Sequence, residues 1–230
     1  MVPRTQDAAL VLLSGGLDST VAAALHREAG GTLALGLWVD YGQRAAEPER
    51  RAAEAVARAC SMPLLCTELP FLGSITRTAL VARDAAVPHP AAGTLESHAS
   101  THADAVWVPN RNGLLVNLAA ALAESRGLPV VLTGFNAEEA ASFPDNGSAF
   151  VAAANAALLH STRGKVRILA PGIGLDKAGM LRAGRRLSAP VDLAWSCYEE
   201  GPLPCGLCES CQRRARAEAA LDGPAGPLLG

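Results

Sequence analysis

One junction constrains this chain more than any other feature. A short apolar run, Ala8–Leu13, meets Ser14-Gly15-Gly16-Leu17-Asp18-Ser19-Thr20, and helix-forming composition continues from Asp18 to Ala29. The run reads as a buried strand, the glycines as a tight turn, and the rest as a helix. Glycines let the backbone approach an anion closely. The first N–H groups of a helix have no partner inside it, and the helix dipole favours an anion there by about 0.3–2 kcal/mol. Ser14, Ser19 and Thr20 add hydroxyl donors. The plain alternative is a helix cap, since Asp and Ser are ordinary caps. The Gly-Lys-Ser/Thr ending of a Walker A loop is missing, and the spacing is not Gly-x-Gly-x-x-Gly.

Strand and helix signals alternate beyond this junction. Strands are expected at Thr32–Asp40, Leu64–Leu69, Pro129–Gly134 and Val166–Leu169. Helices are expected from Pro48 to Ala59, near Ser74–Ala82, and at Gly113–Arg126, Ser148–Ser161, Asp176–Leu187 and Glu209 to about Leu221. Asp84–Ala105 reads as a long loop and candidate lid, and Asn136–Gly147 as a loop carrying three acids. This alternation predicts an α/β fold: a Rossmann-like parallel sheet of about five strands with helices on both faces. Ligands in such sheets bind beyond the carboxyl ends of the strands. Ser14–Asp18, Asp40–Arg44, Gly134–Asp145 and Pro171–Lys177 are therefore the loops expected at the site. Residues 1–190 are expected to form this α/β domain, with a C-terminal module at 191–222 packed on it.

The 230 residues, 50% hydrophobic, suffice for one buried core. A net charge of −2 argues against a broadly basic nucleic-acid surface. No run approaches the roughly 18 apolar residues of a membrane span. Met1–Asp7 is short and polar, unlike a signal peptide, and a cytoplasmic enzyme is expected. Of six cysteines, Cys197, Cys205, Cys208 and Cys211 fall within fifteen residues. Such clustering suggests a metal site rather than a disulfide framework. Four thiolates suit a closed, structural, tetrahedral zinc site; an iron–sulfur cluster and unbound thiols are the alternatives. Arg213, Arg214 and Arg216 follow, either as a solvated face or as a nucleic-acid contact, the former being expected. His98 and His102 have i, i+4 spacing but no third ligand, and read as loop residues.

The Ser-Gly-Gly-x-Asp-Ser junction resembles the pyrophosphate loop of the ATP pyrophosphatase superfamily. Together with the cysteine tail it narrows the resemblance to the 7-cyano-7-deazaguanine synthase family, over roughly Ala8 to Ala217. The stretches that carry it are Leu13–Thr20, Asp40-Tyr41-Gly42-Gln43, Val108-Pro109-Asn110-Arg111-Asn112, Phe143-Pro144-Asp145, Leu175-Asp176-Lys177, and Trp195-Ser196-Cys197-Tyr198 through Cys211. After Pro144-Asp145 many members carry Cys-Arg, whereas Asn146-Gly147 follow here, and Glu138-Glu139 replace a more usual Asp-containing segment.

The resemblance implies an ATP-dependent C–N ligase of queuosine biosynthesis. It converts 7-carboxy-7-deazaguanine and ammonia to the nitrile, and two ATP become two AMP and two pyrophosphate. It implies Mg²⁺ with ATP, one structural Zn²⁺ on the four cysteines, and a homodimer as candidate assembly. ATP is expected on Leu13, Ser14, Gly15, Gly16, Leu17, Asp18, Ser19, Thr20, Val21, Ala22 and Ala23. Ser14, Asp18, Ser19 and Lys177 are the expected catalytic set, with Asp18 holding Mg²⁺ or fixing the loop and Lys177 neutralising phosphate charge. A surface lysine is the alternative for Lys177. Arg111, Asn112, Glu139, Phe143 and Asp145 are expected at the deazapurine. Arg111 forks onto a carboxylate or phosphate, or else sits in a structural ion pair. One of Glu138, Glu139 and Asp145 accepts from the guanine-like N–H edge, or else these acids cap helices. Two rival readings are another adenylating enzyme of the superfamily, acting on a related deazapurine or on tRNA, and a nucleic-acid-binding zinc protein.

Overall fold

A computed structural model describes residues 7–91, 95 and 99–222. Five strands, β1 (Ala8–Leu12), β2 (Thr32–Asp40), β3 (Leu64–Glu68), β4 (Val130–Leu132) and β5 (Arg167–Leu169), form one sheet. Their order is β3-β2-β1-β4-β5, with every pairing parallel. Parallel neighbours need crossover connections. The helices that supply them include α1 (Leu17–Glu28), α2 (Ala46–Ala59), α5 (Arg111–Ser125) and α7 (Ser148–Ser161). The strand residues alternate between two cores, as the two-residue period requires. Leu10, Leu37, Val131 and Ile168 pack under Val116 and Ala119 of α5 and Leu158 of α7. Ala9, Val11, Trp38 and Leu132 pack on Ala23 of α1 and Val56 of α2. Leu10 is wholly buried, so Leu10→Ala is expected to cost about 2–5 kcal/mol.

Three expectations are corrected. The helix placed near Ser74–Ala82 lies earlier, as α3 (Pro70–Ile75). Pro70 presets the first turn, and Thr76 is extended (φ −132°, ψ 154°), which ends it. The stretch Asp84–Ala105 is not one loop, because α4 (Ala99–Val106) occupies its end. Part of that stretch, including His98, lies outside the described residues, and so does the His98–His102 pairing. Asn136–Gly147 is more structured than a plain loop. It holds α6 (Ala137–Ala140) and a 3₁₀ turn at Pro144–Asn146.

The sheet order reverses at β1, since β2 lies on one side of it and β4 on the other. The loops leaving β1 and β4 diverge there and open a crevice at their carboxyl ends. Gly134, just after β4, lies against the first turn of α1. A Cβ on it would come 2.6 Å from the Ser19 amide nitrogen. Helix α8 (Lys177–Arg186), capped by Asp176 accepting from the Gly179 amide, packs beside α1 through Met180 and Leu181 against Leu17 and Val21. The final helix, α9 (Glu209–Asp222), packs on α8 and adds Ala217 to that cluster. The Trp195 amide donates to the Gly15 carbonyl at 2.9 Å, which joins residues 191–222 directly to the loop after β1.

Candidate active site

The loop that follows β1 carries no side-chain cap among the described residues. Gly16 occupies the N-cap of α1 in extended geometry, and no side chain caps the helix. Ser19 Oγ and Thr20 Oγ1 instead donate to the Gly16 carbonyl at 3.2 and 2.8 Å. Ser14 Oγ accepts from the Gly16 amide at 3.2 Å and lies 3.2 Å from Ser19 Oγ. The hydroxyls brace the loop from within and leave the opening amides for a ligand.

Gly16, Leu17, Asp18 and Ser19, which open the helix, line a cavity of ≈ 270 Å³. Of the residues expected at ATP, Leu13, Ser14, Gly16, Leu17, Asp18 and Ser19 line it. Gly15, Thr20, Val21, Ala22 and Ala23 do not. Gly15 takes a left-handed turn (φ +81°) that packs on α2, and Thr20, Val21, Ala22 and Ala23 are fully buried inside α1. Thr133 and Gly134 close the cavity at the end of β4, and Trp195 and Tyr198 close it from the C-terminal module.

Lys177 is 6% exposed, so it is no surface lysine. Its Nζ lies 2.7 Å from Asp18 Oδ2 and 3.2 Å from Glu139 Oε1. Burial disfavours its charge, but Asp18 and then Glu139 outweigh burial and push its pKa above the ordinary lysine value. Burial pushes the Asp18 carboxyl up, against the pull of Lys177, and Glu139 adds to the rise. Two carboxylates within 3.2 Å favour the charged ammonium over the neutral amine. Asp18 Oδ1 is buried without a hydrogen-bond partner among the described residues.

Glu138 and Glu139, adjacent in sequence, diverge. Glu139 reaches Lys177 and lines the cavity. Glu138 turns to α9, where Arg213 and Arg216 bind it at 2.8 and 2.7 Å. Burial would raise the Glu138 pKa, but the Arg213 hydrogen bond, the Lys177 amide and Arg216 hold it below the usual value. Asn136, not an acid, caps α6 by accepting from the Glu139 amide at 3.0 Å.

At the opposite wall Arg111 opens α5 after Asn110, which is left-handed (φ 52°). The guanidinium lies 5.8 Å from the Tyr41 ring centroid, and Nη1 donates to Tyr41 Oη at 3.3 Å. Arg111 makes no ion pair among the described residues, so its charge remains available to an anion. Asn112 and Phe143 also line the cavity, and Phe143 stacks on Trp107 at 6.2 Å. Asp145 sits in the 3₁₀ turn, where its carboxylate accepts from Asn146 Nδ2 at 3.3 Å. Asn146, rather than Asp145, faces the cavity.

One residue escaped the sequence reading. Glu49, in the first turn of α2, lines the cavity and accepts from Gln43 Nε2 at 2.9 Å. Burial pushes its carboxyl up to about 7, against the opposing effects of Gln43 and Arg111. An acid in the first turn of a helix carries no signal separating it from ordinary dipole compensation.

The four cysteines of the tail converge. Cys197, Cys205, Cys208 and Cys211 place their sulfurs within 4.8 Å of one another. Two of the separations, Cys205–Cys211 and Cys197–Cys208, are 4.0 Å. Zinc–sulfur bonds of about 2.3 Å in a tetrahedron put sulfurs roughly 3.8 Å apart, so the set fits a single ion. The amides of Glu199 and Cys205 donate to Cys197 Sγ at 3.3 Å, and those of Leu207 and Cys208 to Cys205 Sγ at 3.4 and 3.3 Å. Donors converging on sulfur suit thiolates.

The model for "Queuosine biosynthesis protein QueC" matches residues 8–221. The chain belongs to the QueC family. QueC relatives include the 7-cyano-7-deazaguanine synthase of Pelotomaculum thermopropionicum, 48% identical over 90% of this chain and 95% of that protein. That of Desulforamulus reducens is 47% identical over 92% and 93%. Membership in QueC makes the chain an enzyme of the 7-cyano-7-deazaguanine synthase class. The solved U34-tRNA thiolase NcsA of Methanococcus maripaludis, described with its 4Fe-4S cluster, covers 98% of this chain and 76% of its own. At 14% identity and a TM-score of 0.51 it shares the fold alone. Among the described residues no helix is long and apolar enough to cross a membrane.

Proposed function

We propose that this chain converts 7-carboxy-7-deazaguanine and ammonia to 7-cyano-7-deazaguanine, activating the substrate twice with ATP. The observation that carries the reading is the uncapped start of α1 facing a cavity, with buried Lys177 beside it. In the first round a carboxylate oxygen attacks the α-phosphorus of ATP and pyrophosphate leaves. Ammonia attacks the acyl carbon, AMP departs, and loss of a proton gives the amide. In the second round the amide oxygen attacks the α-phosphorus of a second ATP, a second pyrophosphate leaves, and the nitrogen loses a proton. Loss of AMP with the remaining N–H proton forms the nitrile.

The protein's part is positioning and charge stabilisation. The amides after Gly16, with Ser14 and Ser19, hold the outgoing diphosphate. Lys177 offsets charge that builds on it. Asp18, with one oxygen on Lys177 and the other without a partner among the described residues, would hold the Mg²⁺ that accompanies ATP, an ion that usually takes only one or two protein carboxylates. Arg111 takes the substrate carboxylate, since no acid among the described residues pairs with it. Glu139 and Asn146 face the deazapurine. Trp195, Tyr198 and Phe143 shield the acyl adenylate from water. The ion we assign to Cys197, Cys205, Cys208 and Cys211 is zinc, whose role is structural because four thiolates leave no open position.

The protein incubated with ATP, Mg²⁺, ammonium and 7-carboxy-7-deazaguanine is expected to yield AMP and the nitrile by mass spectrometry. AMP without nitrile keeps the adenylation and discards the substrate. ADP as the sole nucleotide product overturns the reading.

A further inference from the structure

Resting on that reading of Lys177, we propose that Glu138 is a positioning residue that transmits the placement of the four-cysteine module to Lys177, and through it to the phosphate loop. The two oxygens of Glu138 are divided between two helices. Oε2 accepts from the Lys177 amide at 3.0 Å, at the start of α8. Oε1 accepts from Arg213 Nη1 at 2.8 Å and Arg216 Nη2 at 2.7 Å, both on α9. Arg213 is held in turn by Glu209 Oε1, at 2.7 and 2.9 Å. Glu209 lies between the metal-ligand candidates Cys208 and Cys211. From Lys177 the path continues to Asp18 at 2.7 Å.

A continuous set of short contacts thus runs from the cysteine cluster to the phosphate loop, joining residues 75, 39 and 159 positions apart. Its inner members are almost dry: Arg213 is 5% exposed, Glu209 3% and Lys177 6%. Buried ion pairs recover their desolvation cost only in good geometry. Displacing one member therefore moves the next, whereas solvated pairs would drift independently. Glu138 itself does not line the cavity, and its hydrogen bond to a lining residue is the one to Lys177.

The test uses the full chain as Glu138→Gln, Arg213→Gln and the double variant, with metal content measured on each. Each single variant is expected to lower kcat for AMP release about 10- to 100-fold, with KM for 7-carboxy-7-deazaguanine unchanged. Affinity for ATP with Mg²⁺, read by calorimetry without turnover, is expected to fall as well. The double variant should lose no more than the worse single one, because both cut the same path. Metal is expected to stay at one ion per chain throughout. A lower melting temperature with kcat intact, or a double loss equal to the product of the single losses, overturns the proposal. If a single variant fails to fold, the double variant places two neutral amides face to face and keeps the measurement available. A wild-type protein that binds ATP but makes no AMP discards the proposed reaction, and the ATP affinities of the variants still decide the coupling.

Discussion

Lys177 Nζ lies 2.7 Å from Asp18 Oδ2 although 159 residues separate them. The contact brings the start of α8 to the start of α1, so a fixed cation and the opening amides of a helix share one wall. Lys177→Met is expected to lower the rate of ATP-dependent pyrophosphate release by about 10²–10³, the scale of removing one charge-stabilising donor. It also leaves Asp18 and Glu139 facing each other without their cation, which is expected to cost about 3–5 kcal/mol of stability. An undiminished pyrophosphate burst in the folded variant would remove Lys177 from the mechanism.

Gly134→Ala tests the close approach of β4 to the start of α1. The added methyl would lie 2.6 Å from the Ser19 nitrogen and 3.0 Å from the Ser19 Cα, both backbone atoms that cannot swing away. The first turn of α1 or the exit of β4 must shift. The expected result is a loss of about 1–3 kcal/mol in denaturant unfolding, with weaker ATP binding by calorimetry. Wild-type ATP affinity in this variant would mean that the loop does not hold the triphosphate.

Cys208→Ser tests the metal. Cys208 is fully buried, with its sulfur 4.0 Å from that of Cys197. The variant is expected to lose its bound ion by elemental analysis and to melt about 10 °C lower or more. Unchanged metal content and melting temperature would sink the assignment.

Glu49 predicts a pH dependence. Its folded pKa is about 7 against an ordinary 4.5. Between those values the folded protein binds more protons than the unfolded chain, so stability falls as pH rises. The favourable contribution is whole below about pH 4.5 and gone above about pH 7. The charged and titratable groups that face Glu49 are Arg111, Asp40 and Tyr41, and of these Arg111 opposes the shift. Glu49→Gln is expected to be more stable than wild type by about 1–3 kcal/mol at pH 8 and equal to it near pH 4.5. Urea midpoints at the two pH values read this directly, and a difference independent of pH would rule it out.

Much of this molecule was legible in the chain itself. The five strands and the helix after Ser14–Asp18 follow from short-range signals, namely apolar runs, glycine turns and helical composition, which depend on neighbours a few residues away. The cysteine cluster is legible for the same reason, since its four ligands lie within fifteen residues. Helix α3 was misplaced because Pro70 and the extended Thr76 outweigh the composition of Ser74–Ala82. What only the tertiary structure decided is which charge meets which. Glu138 and Glu139 are identical in type and adjacent in sequence, yet one joins α9 and the other the cavity. Lys177 reads locally as an ordinary residue at a helix start, and Glu49 as an ordinary first-turn acid. Their placement arises from the strand order, which brings the ends of β1, β2 and β4 to one crevice. Burial there magnifies every charge–charge contact, and neither proximity nor burial leaves a periodic trace in the residues themselves.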